Sequence, residues 1–146
     1  MPAKKILAID DEKNICSAIE RILSAGGMYQ VEMVTDSKEA IDKVNFLKPD
    51  LILLDIMMPG INGIQICKML RENPLTATVP VIMVTAMVDE EYIVSAIQSG
   101  ADDYIMKPFD PQELKDKVAE TLANFEKGLL PSQVKYRFKT FKENKD

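Results

Sequence analysis

Several short apolar runs in this chain end in side chains that can do chemistry. Lys5–Asp10 closes on a carboxylate and is followed by a second one, Asp11. Leu51–Asp55 is apolar until its final residue. Val81–Ala86 delivers Thr85, and Asp103–Lys107 delivers an ammonium followed by Pro108. If these runs are neighbouring strands, three carboxylates, a hydroxyl and an ammonium converge on one edge. Two unit charges about 5 Å apart repel by roughly 3 kcal/mol at an effective dielectric of about 20. A group must then protonate, or a cation must bind. Oxygen donors without Cys or His select a hard ion, and Mg²⁺ suits one or two carboxylates supplemented by water and phosphate oxygens. A carboxylate beside Mg²⁺ and a Lys can attack phosphorus and form an acyl phosphate. Metal and ammonium together offset the charge of the transferring phosphoryl group.

The elements needed to position these groups are legible in the hydrophobic pattern. Lys5–Asp10, Gln30–Val34, Leu51–Asp55, Val81–Ala86 and Asp103–Lys107 read as strands. Asn14–Ala25 puts Ile15, Ile19, Ile22 and Leu23 on one helical stripe, stopped by Gly26-Gly27. Asp36-Ser37-Lys38-Glu39 fits a capping box that opens a helix with Ile41, Val44 and Leu47 inward. Pro59-Gly60-Ile61-Asn62-Gly63 is a turn leading into a helix that runs to about Glu72. Glu90–Ser99 reads as a helix ended by Gly100. Asp110 as N-cap, Pro111 in the first turn and Glu113 open the last helix, with Leu114, Val118, Leu122 and Phe125 facing inward. Regular strand–helix alternation predicts an α/β fold, a doubly wound parallel sheet with helices on both faces. Ligands of such sheets bind beyond the carboxyl ends of the strands, where the polar side chains above are expected.

Composition removes whole classes of activity. The 146 residues contain no histidine, which excludes a Ser-His-Asp triad, His metal ligands and a phosphohistidine carried on this chain. Cys16 and Cys67 lie far apart and offer neither a disulfide framework nor a zinc-ribbon spacing. No apolar run reaches the roughly 18 residues of a membrane span. Met1-Pro2-Ala3-Lys4-Lys5 lacks the apolar core of a signal peptide, so a cytoplasmic setting is expected. Net charge is −5, unevenly spread: residues 127–146 hold six basic and two acidic side chains, leaving 12 basic against 21 acidic in residues 1–126. The acidic body argues against a grip on nucleic-acid phosphates. The shift near Gly128 to Pro131 predicts a body over 1–126 and a basic extension or linker over 127–146.

Taken together, these motifs resemble the receiver domain of two-component response regulators. The matching residues are Asp10-Asp11, Asp55-Ile56-Met57-Met58-Pro59-Gly60, Asn62-Gly63, Val84-Thr85-Ala86 and Gly100-Ala101-Asp102-Asp103-Tyr104-Ile105-Met106-Lys107-Pro108-Phe109, in the family's order over about residues 4–125. The resemblance implies a flavodoxin-like sheet of strand order 2-1-3-4-5. It makes Asp55 the phosphoacceptor, loaded from a phosphohistidine on a sensor histidine kinase or phosphotransfer protein. Asp11, Asp55 and the Met57 backbone carbonyl would hold Mg²⁺, with Asp10 acting largely through water. Lys107 would pair with the phosphoryl oxygens. Thr85 would bond the phosphoryl group and let Tyr104 swing inward. The Lys107–Pro108 bond would be cis. The fourth helix, fifth strand and fifth helix, around Tyr92, Ile93, Ile97, Tyr104 and Met106, would form the face read by an output domain or partner. A phosphorylation-dependent homodimer is one assembly the family uses there, although its full set of charged pairs is absent. By the family's geometry Met57 and Met87 would flank the path of attacking water.

Blander readings accompany each residue. Asp10 and Asp11 also suit a helix N-cap and first-turn acid. Thr85 suits a plain strand, Lys107 a solvated strand end, and Tyr104 strand packing. Met57, Met58, Met83, Met87 and Met106 suit core filling. Asp102, Asp103 and Asp89-Glu90-Glu91 suit solvated or capping charges. Two other function classes compete. An Asp-nucleophile phosphohydrolase would carry a second Asp where Met57 stands. A constitutive interaction module would need no phosphate and no Mg²⁺. In the tail, Val134, Phe138 and Phe141 suit a helical stripe, while Val134, Tyr136 and Phe138 alternate like a strand. A linker or docking role is expected there ahead of contact with RNA or a membrane surface.

Overall fold

In the computed structural model, residues 2–86 and 89–128 are described. Five strands are β1 (Lys4–Ile9), β2 (Tyr29–Val34), β3 (Leu51–Leu54), β4 (Val81–Thr85) and β5 (Asp103–Met106). Five helices alternate with them: α1 (Lys13–Ser24), α2 (Ala40–Leu47), α3 (Gly63–Glu72), α4 (Glu90–Gln98) and α5 (Pro111–Glu126). All strand pairs are parallel, in the order β2-β1-β3-β4-β5. This is the expected doubly wound α/β sheet. Met87 and the tail beyond Gly128, with the aromatic patterns expected there, lie outside the described residues.

The strand period explains the two layers. Leu7, Ile9, Ile52, Leu54, Val81 and Met83 point into one cluster with Val44, Ile66, Leu70 and Ala96. Their sequence neighbours Ile6, Ala8, Leu51, Leu53, Ile82 and Val84 point into the other, with Cys16, Ile19, Leu23, Leu114 and Val118. Helices α2, α3 and α4 therefore cover one face, and α1 and α5 the other. β1, β3 and β4 must be apolar on both sides, as a parallel sheet requires.

Several local readings change. Asp36 does accept a bond from the Lys38 amide, but the turn it opens, Ser37–Glu39, is a 3-10 turn, and no reciprocal bond from Glu39 completes a box. The reciprocal box lies instead at α3, where the Asn62 side chain accepts from the Gln65 amide at 2.9 Å and the Gln65 side chain accepts from the Asn62 amide at 3.0 Å. Phe125 is half exposed, because the inward stripe of α5 passes through Thr121 and Leu122 and ends before it. Met58 and Met83 are core, but Met57 is 48% exposed. Ile93 is buried, so it cannot belong to a readout surface; Tyr92 on the same helix is exposed.

Asp102 and Asp103 are structural rather than solvated. Asp103 is buried and pairs with Lys117 at 3.1 Å. Asp102 accepts the Val81 amide at 2.8 Å and meets Arg71 at 3.2 Å. Burial raises the Asp102 pKa, against the opposing pull of that amide and of the guanidinium. Arg71 also donates to the carbonyls of Val79 at 2.6 Å and Gly100 at 2.9 Å. A side chain on Gly100 would collide with it, the Cβ position lying 2.8 Å from Arg71 Cγ. One guanidinium thus ties the end of α3 to the starts of β4 and β5. We expect Arg71→Ala to lower unfolding free energy by about 1–3 kcal/mol in urea titrations, since it strands part-buried acceptors. Arg71→Lys should restore little, because one ammonium cannot span the same fork.

Candidate functional site

The register of the sheet assembles the site. Ile9 pairs with Leu54 and with Val34, so Asp10 and Asp55 leave adjacent strands at the same level. The Asp55 amide donates to Ile9 O at 2.9 Å and the Asp10 amide to Val34 O at 3.0 Å, which holds both backbones in the ladder one residue beyond the pairs. Thr85 closes β4, and its carbonyl accepts the Lys107 amide at 2.9 Å. Both strand-end carboxylates are buried, Asp10 at 2% and Asp55 at 4% exposure, as is Thr85. The Lys107–Pro108 peptide is cis.

Lys107 binds the two carboxylates together. Its Nζ lies 2.7 Å from Asp10 Oδ2 and 3.4 Å from Asp55 Oδ2. Asp10 Oδ2 accepts no hydrogen bond of good alignment, yet at 2.7 Å the ammonium is its charge partner all the same. Asp10 Oδ1 accepts the Glu12 amide at 2.9 Å, and Asp55 Oδ1 accepts the Met57 amide at 3.4 Å. Burial, then the charge of Asp10, pushes the Asp55 carboxyl up to about 6, although Lys107 and the Met57 amide pull the other way. Burial pulls the Lys107 ammonium down, but its bond to Asp10 and the charges of Asp55, Asp10 and Glu12 outweigh this and raise its pKa.

One carboxylate oxygen from each of Asp10, Asp11, Glu12 and Asp55 lies within 4.8 Å of the others. Asp10 and Asp55 form the buried floor; Asp11 and Glu12 are exposed at the rim. An all-oxygen donor set with a floor carboxylate so weakly satisfied fits a hard divalent cation. Glu12 was not singled out from sequence. It is the N-cap residue of α1, but its side chain makes no capping bond. It turns to Lys107 instead, 3.6 Å away. The signal was present as a third consecutive acid.

The remaining expected residues are placed at graded distance. Met57 follows Asp55 by two residues and touches its carboxylate through the backbone amide. Tyr104 stands three residues before Lys107 and is not part of the acidic cluster. Its strand partner is Met83, which puts it on the same face of the sheet as Thr85. Lys117 lies 5.3 Å over the Tyr104 ring. Burial, with Asp103 and Glu113, pushes the Tyr104 hydroxyl up to about 12. Gly63 has a steric duty: a Cβ there would stand 2.1 Å from the Asp55 carbonyl oxygen. Only glycine lets α3 begin against the backbone that carries Asp55, with its amide on Ile56 O at 2.8 Å.

The fold and this edge define a doubly wound α/β domain with a lysine-bridged acidic cluster at the carboxyl ends of its strands. The family model of the response regulator receiver domain matches residues 6–119, and the chain belongs to that family. It is 40% identical over 119 residues to the DNA-binding response regulator MtrA of Mycobacterium tuberculosis, covering 82% of this chain and 50% of that protein. It is 40% identical over 132 residues to the alkaline phosphatase synthesis transcriptional regulatory protein PhoP of Bacillus subtilis, covering 90% of this chain and 54% of that protein. The chain thus spans about half the length of these relatives. Among solved structures, the CheY-like receiver domain protein of Methanospirillum hungatei superposes with a TM-score of 0.80 at 33% identity, over 86% of this chain and 98% of that one. The receiver domain of a signal transduction histidine kinase from Syntrophus aciditrophicus gives 0.77 at 34%, over 84% and 92%.

The raised Asp55 carboxyl has a thermodynamic consequence. Its folded value of about 6 exceeds the ordinary 3.8, so its contribution to stability is complete below about pH 4 and lost as pH rises through about 6. In EDTA at pH 7, Asp55→Asn should therefore unfold at a higher denaturant midpoint than the parent, its unfolding free energy being larger by roughly 1–3 kcal/mol. The gap should close at pH 4. Gly63→Ala should be destabilised at both pH values.

Proposed function

We propose that this protein accepts a phosphoryl group on Asp55 from a phosphohistidine of a sensor histidine kinase or phosphotransfer protein, in a Mg²⁺-dependent reaction. The observation that supports it is the buried Asp55 carboxylate, joined to a second buried carboxylate, Asp10, by the Lys107 ammonium between them. Asp55 supplies the nucleophilic oxygen: its bond to phosphorus forms as the donor's P–N bond breaks, and the imidazole leaves with the electron pair. Asp11, Asp55 and the Met57 backbone carbonyl would hold Mg²⁺, with Asp10 acting through water from the floor and Glu12 at the rim. When bound, the ion offsets charge on the phosphoryl oxygens. Lys107 is already fixed at the same edge and would move its charge from the carboxylates to the phosphoryl group. Thr85 would bond that group from the end of β4.

The readout follows from added charge at one edge of a bistable face. Thr85 and Tyr104 share a side of the sheet, so a change at Thr85 would be felt at Tyr104. The face exposed to a partner would centre on Tyr92, Ile97, Tyr104 and Met106, with Ile93 beneath it. A cytoplasmic setting suits a kinase partner, and no helix among the described residues is long and apolar enough to cross a membrane. Residues 1–126 would act as the switch and 127–146 as a linker or docking extension.

The test is incubation with Mg²⁺ and a small acyl-phosphate donor, read by intact mass. One phosphoryl group should be gained by the parent and none by Asp55→Asn, or when EDTA is present; no gain under any condition, with no Mg²⁺ binding, would favour a phosphate-independent interaction module. Met57 presents an exposed apolar side chain beside Asp55, and it offers no polar group to orient water. Replacing it with Asn or Glu should shorten the acyl-phosphate lifetime by roughly tenfold or more. An unchanged lifetime would count against that role.

A further inference from the structure

Ser37 reaches the site from an element that carries none of its expected residues. It lies in the connection between β2 and α2, at 4% exposure. Its hydroxyl is used twice: it donates to Pro59 O at 2.7 Å and accepts from the Ile61 amide at 3.2 Å. Both partners belong to the loop that leaves Asp55 and runs to the cap of α3. Gly60, between them, has φ +85, and a Cβ there would stand 2.9 Å from Ser37 Oγ. The hydroxyl therefore packs against the one turn residue that has no side chain to hold it off.

The loop has three fastenings. At its front the Met57 amide bonds the Asp55 carboxylate, weakly at 3.4 Å. At its rear the Gly63 amide bonds Ile56 O, and Asn62 and Gln65 close their box. Ser37 is the fastening in the middle, and it supplies partners for two main-chain groups of a turn that no strand or helix satisfies. Cation affinity depends on groups that hold the donors in place without touching the ion. A loop free at its centre would let the backbone at Met57 and the Asp55 carboxylate drift relative to Asp11.

We propose that Ser37 is a positioning residue of the acidic site, clamping the 57–61 loop and thereby setting the affinity for a divalent cation. This rests on the reading that the cluster binds Mg²⁺. It touches neither ion nor phosphoryl group, so its effect should appear in binding before chemistry.

The experiment is a Mg²⁺ titration of the full chain followed by amide NMR, with Ser37→Ala compared to the parent. A second variant, Thr76→Ala, serves as control. It removes another buried hydroxyl, which bonds Leu70 O at 2.6 Å at the far end of α3. The expected result is a rise of about tenfold in the Mg²⁺ Kd for Ser37→Ala, with faster amide exchange at Ile61 and unchanged exchange at Leu53 and Val84. Thr76→Ala should stay within about twofold of the parent. Equal Kd values for Ser37→Ala and the parent, or equal losses in both variants, would overturn the clamp. Should Ser37→Ala not fold, Ser37→Cys is read in the same way, since sulfur fills the place but donates poorly. A parent that binds no Mg²⁺ would overturn the metal reading itself, and the affinity role of Ser37 with it. A parent that binds while Ser37→Ala binds equally well would overturn the clamp alone.

Discussion

Two carboxylates and one ammonium, all but removed from water, share the carboxyl edge of the sheet. Lys107 stands between Asp10 and Asp55, 2.7 Å from one and 3.4 Å from the other, and offsets part of the repulsion between them. The remaining structure serves this cluster. The parallel register of β1 against β3 brings the acids level. The β4–β5 pairing brings Lys107 to them, through its amide on Thr85 O. Apolar strands on both faces exclude the water that would otherwise screen the charges.

The arrangement is electrostatically unfinished, and this is what makes it useful. One ammonium balances two floor carboxylates while Asp11 and Glu12 add negative charge at the rim. Burial, then the charge of Asp10, pushes the Asp55 carboxyl up to about 6. On the proposed function, a divalent cation would offset this charge.

Stability and responsiveness are divided between the two ends of the sheet. At the amino edge of β4 and β5, Arg71 with Asp102 and the Gly100 carbonyl makes a dense polar staple. At the carboxyl edge the polar groups are charged and few of their bonds are short. The first end holds the strands in order whatever the second does. Ser37 and Gly63 show how the second is nonetheless shaped by backbone: one bonds the turn after Asp55, the other leaves room for α3 to abut it.

Much of this was legible in the residues alone. The alternation of short apolar runs with amphipathic stripes of about 3.6-residue period determined the α/β class, because continuous apolar runs suit strands covered on both faces. Acids and a lysine at strand ends determined which groups would converge, since a parallel sheet collects strand ends on one edge. What only the tertiary structure decided was everything set by contact between distant segments. Glu12 joined the cluster because it spends no side-chain bond on capping α1. Asp102 and Asp103 looked solvated, yet Asp102 is half-buried against Arg71, 31 residues away, and Asp103 is buried against Lys117. Phe125 and Met57 looked buried and stayed exposed, because no neighbouring element covers them. Local pattern records which face of its own element a residue occupies; it holds no record of which remote group will arrive to meet that face, and charge pairing and burial depend on that arrival.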